Sequence, residues 1–307
     1  MELIRGLPAR RPSAAGSVLT IGSFDGIHLG HQVLIRQVLD LGHRMRLPTV
    51  LLTFEPLPRE YLKRSDPPAR LTSWRERWRA LEGTGLDRVW QLRFDERLRN
   101  LTGEEFAQLL ARDLGAKAVV VGHDFRFGRN GDANGPRLVE AGKQLGFEVE
   151  IVAPVLDGAT RVSSSAIREA LAKGALKQAE RWLGRPYSMI GRVVRGEQLG
   201  RTLGFPTANL RLGRRRSPLH GIFAVRVRGV REAVMPGVAS LGTRPTVGGK
   251  VPLLEAHVFD FDGDLYGREI GVEFVSKLRE EERFASLDAM VEQMHRDAAA
   301  AREILGC

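Results

Sequence analysis

The spacing of apolar positions changes character near residue 185. Before that point, short continuous apolar runs alternate with stretches of helical spacing. Ser17-Val-Leu-Thr-Ile21 stops at a glycine and reads as a buried strand. Pro48 to Phe54, Arg88 to Leu92, Lys117 to Val121 and Phe147 to Val152 read the same way. Between these runs, Val33, Leu34, Gln37, Val38 and Leu41 follow a helical period, with Gly42 as the expected stop. Leu71-Thr-Ser73 leads into another helix, and Glu104 to Leu114 is expected to be helical, capped by Thr102 and ended by Gly115. Strands alternating with helices predict a parallel sheet covered on both faces.

Ala166 to Lys173 and Leu176 to Leu183 read as two short helices, after which β-type runs dominate. Met189 to Val194, Gly221 to Val227, Glu232 to Met235 and Leu253 to Phe259 mix apolar and polar positions with turns between them. Closely spaced strands of this kind predict a small antiparallel barrel. Leu287, Met290, Val291, Met294, Ala298 and Ile304 then mark an amphipathic C-terminal helix. Two domains are expected, an α/β domain over 1–184 and a barrel with a terminal helix over 185–307.

Composition adds constraints rather than a function. The 307 residues are 43% hydrophobic and 27% charged, an ordinary globular balance. No apolar stretch has signal-peptide form or approaches the roughly 18 residues of a membrane span, so a cytoplasmic chain with no membrane partner is expected. The one cysteine, Cys307, excludes a disulfide framework or thiolate metal cage. Net charge is +10, which suits polyanions but equally a basic background, because most arginines are interspersed with acids, as in Trp74-Arg-Glu-Arg-Trp-Arg79. Arg214-Arg215-Arg216 is too short for a nucleic-acid patch, and at 7% aromatic content there is no basic–aromatic interleaving, so a nucleic-acid partner is not expected. Nothing in the sequence sets an oligomeric state.

The chemistry concentrates first in Gly22-Ser-Phe-Asp-Gly-Ile-His-Leu-Gly-His31, which follows a strand and opens a helix. Gly22 and Gly26, with Phe24 and Asp25 between them, let backbone approach a phosphate, and the helix N-terminus supplies N–H groups. His28 and His31 are spaced to face one pocket and to stabilise a phosphoryl group under in-line attack. A lone His-x-x-His is more often surface turn; the full decapeptide after a strand points to nucleotidyl transfer. Ser163-Ser164-Ser165 precede a helix with Arg168 one turn inside, a set suited to the β- and γ-phosphates of ATP, with plain N-capping as the alternative. Asp124 and Phe125 in Asp-Phe-Arg-Phe-Gly are candidates for a ribose, cation or flavin end, the alternative being turn and core. In the second half, Gly196, Gly200 and Gly204 are placed to cover phosphates. Thr207 and Asn209 alternate on one face of an extended segment as oxygen ligands for a nucleotide-borne Mg²⁺. Glu255 is a carboxylate in mid-strand, and His257 on the same face is read as packing or surface. No Gly-x-x-x-x-Gly-Lys-Ser/Thr sequence is present, which excludes a P-loop kinase.

Through its His-x-Gly-His segment the sequence resembles the nucleotidylyltransferases of that type, and more closely the bacterial bifunctional riboflavin kinase/FAD synthetase family. Thr53-Phe-Glu-Pro-Leu-Pro58, Val121 to Gly128 and Val162 to Arg168 match that family's N-terminal blocks in order, and the second half matches its kinase blocks. The resemblance implies a Rossmann-like adenylyltransferase domain and a riboflavin kinase barrel. It implies riboflavin, FMN and ATP as substrates, Mg²⁺ as cofactor, and FMN and FAD as products. It makes Glu255 the base for the riboflavin 5′-hydroxyl and His28 and His31 the groups at the transferring phosphoryl. Ser164 and Arg168 would hold pyrophosphate, and Arg279 and Phe284, with Leu241 to Thr246, would form part of a flavin site, the alternative for Arg279 and Phe284 being packing on a helix surface. One departure is Leu57, where the family often has histidine. The rival readings are another transferase of the same motif, which leaves the Pro206-Thr-Ala-Asn209 domain unexplained, and a basic RNA-binding protein that has kept the fold.

Overall fold

A computed structural model describes residues 1–7, 16–196, 200, 203–246 and 249–307, with side chains at all of these except 244–246, 249 and 250. Arg10, Arg11, Arg201 and Thr202 therefore lie outside the described residues, as do the side chains at the end of the Leu241 to Thr246 segment. The chain divides into two units, Met1–Pro68 with Arg77–Val162, and Ala69–Glu76 with Ser163–Cys307.

In the first unit, β1 (Glu2–Arg5), β2 (Ser17–Ile21), β3 (Thr49–Glu55), β4 (Arg88–Arg93), β5 (Ala116–Gly122) and β8 (Glu148–Val152) form one sheet in the order β1-β4-β3-β2-β5-β8. Every pairing in it is parallel. All five residues of β2 are buried, which is why its sequence is continuous rather than alternating. The helices are α1 (Leu29–Met45), α2 (Pro58–Leu62), α3 (Trp74–Glu82, whose first turn is counted with the other unit), α4 (Glu96–Asn100), α5 (Gly103–Gln108) and α6 (Gly135–Leu145). Two small ribbons, β6 (Arg126–Phe127) with β7 (Ala133–Asn134) and β9 (Leu156–Asp157) with β10 (Thr160–Arg161), complete it. Strand order reverses at β2, which pairs with β3 on one side and β5 on the other. Beyond the carboxyl end of such a strand an open α/β sheet leaves a crevice for ligands, and residues 22–28 occupy that position.

In the second unit, helices α7 (Ser164–Ala172) and α8 (Leu176–Leu183) precede a closed antiparallel barrel. Its strands are β11 (Ser188–Val194), β12 (Ala208–Arg211), β13 (Gly221–Arg228), β14 (Met235–Thr246), β15 (Gly249–Val258) and β16 (Glu269–Arg279), in the order β11-β12-β15-β14-β13-β16. Helix α9 (Leu287–Leu305), capped by Ser286, lays Ala298, Ala301 and Leu305 against Ala224, Val238, Phe259 and Leu278.

Several expectations need correction. Helix α1 does not stop at Gly42 but continues to Met45. Gly42 is there for contact: a Cβ would fall 2.3 Å from Thr49 Cγ2, so only glycine lets the helix lie this close to β3. The Thr102 capping box starts α5 as expected, but the helix passes into one π turn over Leu109–Asp113 before Gly115. Ser164 and Ser165 lie inside the first turn of α7, and only Ser163 precedes it, as the N-cap bonded to the Ala166 amide. Glu232 to Val234 lies outside the strand, which begins at Met235. Two arginines from the charged stretches Trp74 to Arg79 and Arg214 to Arg216 are buried. Arg77 is completely enclosed, and Arg214 pairs with Glu76 while donating to Tyr187 Oη at 3.0 Å.

Candidate active sites

The loop leaving β2 is built from unusual backbone. Phe24 and Ile27 have φ of 48° and 43°, in the left-handed region that non-glycine residues avoid, and Gly26 has φ of 92°. Such conformations persist only where their surroundings impose them, and they gather at functional sites. Here Phe24 is fully buried, Asp25 is 1% exposed, and the Phe24 ring centroid lies 4.9 Å from that of His31. His28 caps α1, its Nδ1 accepting the His31 N–H at 3.4 Å. That bond puts the proton of a neutral His28 on Nε2 and makes this nitrogen a donor. The two imidazoles stack with centroids 3.6 Å apart and planes inclined by 21°. Gly30 packs closely under the stack, since a Cβ there would sit 3.1 Å from the His28 ring.

The stack is electrostatically biased. Burial, then His28, then Arg77 hold the His31 pKa well below its ordinary 6.5. Its Nδ1 is enclosed, without a hydrogen-bond partner among the described residues. A histidine kept neutral when folded but protonated when unfolded loses stability as pH falls below the unfolded pKa. His31→Gln is therefore expected to flatten the fall in Tm between about pH 7.5 and about pH 5.5. Side-chain NMR should show no His31 titration near pH 6.5 in the native protein.

Other N-terminal candidates fall into place differently. Leu57 is 6% exposed and caps α2 without a side-chain bond, so an apolar contact replaces the polar group often found there. Asp124 accepts from Arg161 at 2.5 Å. Burial pushes its carboxyl up, but the Arg161 hydrogen bond and charge, with His123, outweigh this and hold it below 3.8. Phe125 stacks on Phe127 at 5.4 Å and packs against the core. Arg161, which sequence reasoning passed over, thus partners Asp124.

In the second unit, Ser163 caps α7, and Arg168 is anchored through Nε on the Ala69 carbonyl at 2.5 Å. Here too lies a cavity of about 310 Å³ that brings together Gly200, Thr207, Glu255, His257, Arg279, Phe284 and Asp297. Asn209 and Glu255 are direct cross-strand partners, and Ser240 opposes Glu255 on its other side. The carboxylate in mid-strand therefore faces a cavity. His257, expected to be packing or surface, lines it as well, with Nδ1 on the Pro206 carbonyl at 2.9 Å. The glycines press against the candidate ligand segment. A Cβ on Gly196 would meet the Asn209 carboxamide at 2.5 Å, and one on Gly200 the Phe205 carbonyl at 2.3 Å, while Gly204 turns the chain with φ of 79°. Gly196→Ala is expected to displace Asn209 and slow any reaction at this cavity by about 10- to 100-fold, judged by kcat, because small misplacements near the reacting atoms cost that much.

Arg279 is clamped on Asp297, Nε donating to Oδ1 at 2.9 Å and Nη2 to Oδ2 at 2.7 Å, and its guanidinium lies 5.6 Å from the Phe284 ring centroid. Gln293 also donates to Asp297 at 2.9 Å. Asp297, unmarked in the sequence, thus orders the wall that carries Arg279 and Phe284. Among the described residues no cluster of three or more His, Cys, Asp or Glu side chains is arranged to hold a metal, and no helix is long and apolar enough to cross a membrane.

Comparison with known proteins follows the same division. A family model described as FAD synthetase matches residues 10–166, and one described as riboflavin kinase matches 183–305. The chain is 45% identical to a bifunctional riboflavin kinase/FMN adenylyltransferase of Escherichia coli K12, over 100% of this chain and 98% of that protein. A protein of the same description from Haemophilus influenzae is 42% identical, with 98% of each chain covered. Among solved structures, one described as a macrolide-efflux protein from Streptococcus pneumoniae superimposes with a TM-score of 0.81 at 32% identity, covering 98% of this chain and 99% of that one.

Proposed function

Because this chain belongs to the bifunctional riboflavin kinase/FMN adenylyltransferase family, we propose that its two constellations divide the work between them. The enzyme phosphorylates riboflavin with ATP and adenylylates the resulting FMN to FAD. The observation that carries the residue assignment is the cross-strand pairing of Asn209 with Glu255, whose carboxylate lines the 310 Å³ cavity together with Thr207. It sets a metal-ligating oxygen and a general base side by side.

In the kinase step Glu255 takes the proton of the riboflavin 5′-hydroxyl as its oxygen attacks the γ-phosphorus of ATP and ADP leaves. Thr207 and Asn209 offer neutral oxygens, too few to bind a bare cation. That donor set fits Mg²⁺ brought by a nucleotide whose phosphates and waters complete its shell. When bound, the ion neutralises charge on the phosphates. Gly196, Gly200 and Gly204 let backbone lie close to the phosphate chain. Arg279 and Phe284, steadied by Asp297, flank the flavin ring.

In the transfer step a phosphate oxygen of FMN bonds to the α-phosphorus of ATP. The bond from that phosphorus to the bridging oxygen breaks, and pyrophosphate leaves with the electron pair. The Gly22–Gly26 loop, with Phe24 and Asp25, shapes the nucleotide site, and His28 and His31 donate to the oxygens that gain charge. Ser163, Ser164 and Arg168 are assigned to the polyphosphate, supported by the helix N-terminus on which they sit. Asp124 and Phe125 are assigned to the flavin side. We place the functional boundary at 184/185, where the strand pattern changes class, and the enzyme in the cytoplasm, where its ATP is.

Asn209→Ala tests the assignment. It is expected to raise the Mg²⁺ concentration needed for half-maximal riboflavin phosphorylation by about 10-fold or more, as loss of a ligand does, with adenylylation of supplied FMN unchanged. An unchanged Mg²⁺ requirement refutes the ligand role.

A further inference from the structure

The structure holds a complete cation behind the histidine stack. Arg77 is 0% exposed and is among the largest fully buried side chains. Enclosing a guanidinium costs several kcal/mol unless its surroundings compensate it, so its retention in a core position calls for a reason. Its contacts are specific. Nη1 donates to the Ser23 carbonyl at 3.0 Å and reaches Thr53 Oγ1 at 3.4 Å, while Nη2 lies 3.6 Å from Glu55 Oε2. Thr53 Oγ1 itself donates to the Ser23 carbonyl at 3.4 Å. Ser23 belongs to the loop whose next residue, Phe24, is held at positive φ against His31. Thr53 and Glu55 end β3. One side chain therefore ties the strained loop to the neighbouring strand end.

From this geometry we propose that Arg77 is a positioning residue for adenylyl transfer, bridging Ser23 and Thr53 so that the Phe24 turn and the His28–His31 stack stay in the reacting arrangement. A planar fork with several fixed donors can make such a bridge, and a single ammonium cannot satisfy it to the same extent. The charge has a second effect. The groups acting on His31 are His28 from the loop and Arg77 from α3, both cationic or potentially so, and both oppose its protonation in addition to burial. The proposal rests on reading His28 and His31 as the transfer site.

Riboflavin phosphorylation in the second unit controls for the amount of active enzyme, and the KM values for ATP and FMN report whether the first unit keeps its fold. Arg77→Met and Arg77→Lys are compared with His28→Ala, measuring FMN-to-FAD conversion, riboflavin phosphorylation and the His31 NMR titration. Arg77→Met is expected to lose about 100-fold in kcat for adenylylation, the scale of a small misplacement at the reacting atoms, with KM for ATP and FMN within about threefold. Arg77→Lys, which keeps the charge but not the fork, should lose about 10-fold. The His31 titration should move up in Arg77→Met and stay low in Arg77→Lys. If Arg77→Met also abolishes phosphorylation, Arg77→Lys decides alone, by the same kcat criterion. Adenylylation retained above half in Arg77→Lys, or a loss confined to KM in either variant, overturns the proposal. Undiminished transfer in His28→Ala overturns instead the site reading beneath it.

Discussion

Glu255→Ala should leave an enzyme that makes FAD from supplied FMN but no longer makes FMN from riboflavin. Removing a general base costs about 10²- to 10⁴-fold, so phosphorylation is expected to fall by at least about 100-fold. The residue sits opposite Asn209 on β12 and Ser240 on β14, in a closed barrel whose ladder continues on both sides of it. Its side chain lines the cavity instead of filling the core, so its truncation leaves no collapsed packing to explain a loss of rate. Glu255→Gln separates shape from basicity. It preserves volume and hydrogen-bonding capacity but cannot take a proton, and should be nearly as slow as Glu255→Ala. A glutamine variant within about 10-fold of the native rate would mean that the carboxylate positions the hydroxyl and does not deprotonate it.

The second large effect is expected from His28→Ala, which should stop the sequence at FMN. His28 does two things at once. It caps α1 by accepting the His31 amide, and it forms half of the ring stack. Removing a preorganised donor at developing charge costs about 10²- to 10³-fold in kcat. Losing the cap adds about 1 kcal/mol of local destabilisation. His28→Asn keeps a side-chain oxygen able to cap the helix, so it should restore most of the lost stability without restoring transfer. Recovery of both together would assign His28 to structure rather than to chemistry.

What the sequence made legible, and what it hid, follows from burial. Strands enclosed on both faces, such as β2 and β5, stand out as apolar runs, and the glycine-rich decapeptide announces its chemistry through residue types that have few other reasons to occur together. Helix α8 lies where its apolar period places it, Leu176–Leu183. By contrast β16 alternates buried residues with Glu269, Gly271 and Glu273 and shows no continuous apolar run, because one face of a barrel strand is wet. Gly42 looks like a stop because a glycine that ends a helix and one that admits a neighbouring strand are the same letter. Arg77 is the sharpest case. Between Trp74 and Arg79 it has the look of a solvated charge, and only the long-range approach of Ser23 and Thr53 shows it to be enclosed. Partnerships of this kind, including Arg214 with Glu76 and Arg279 with Asp297, join residues distant in sequence and leave no local signal.

The central claim is that one chain carries two separable sites acting in succession, and a mixing experiment tests it most directly. Glu255→Ala and His28→Ala are each incubated with riboflavin, ATP and Mg²⁺, alone and together, and the flavins are separated over time. The account predicts riboflavin unchanged with the first, FMN alone with the second, and FAD from the mixture, as FMN released by one variant is adenylylated by the other. FAD formed from riboflavin by either variant alone, or a mixture that stops at FMN although the first variant converts supplied FMN, would contradict it.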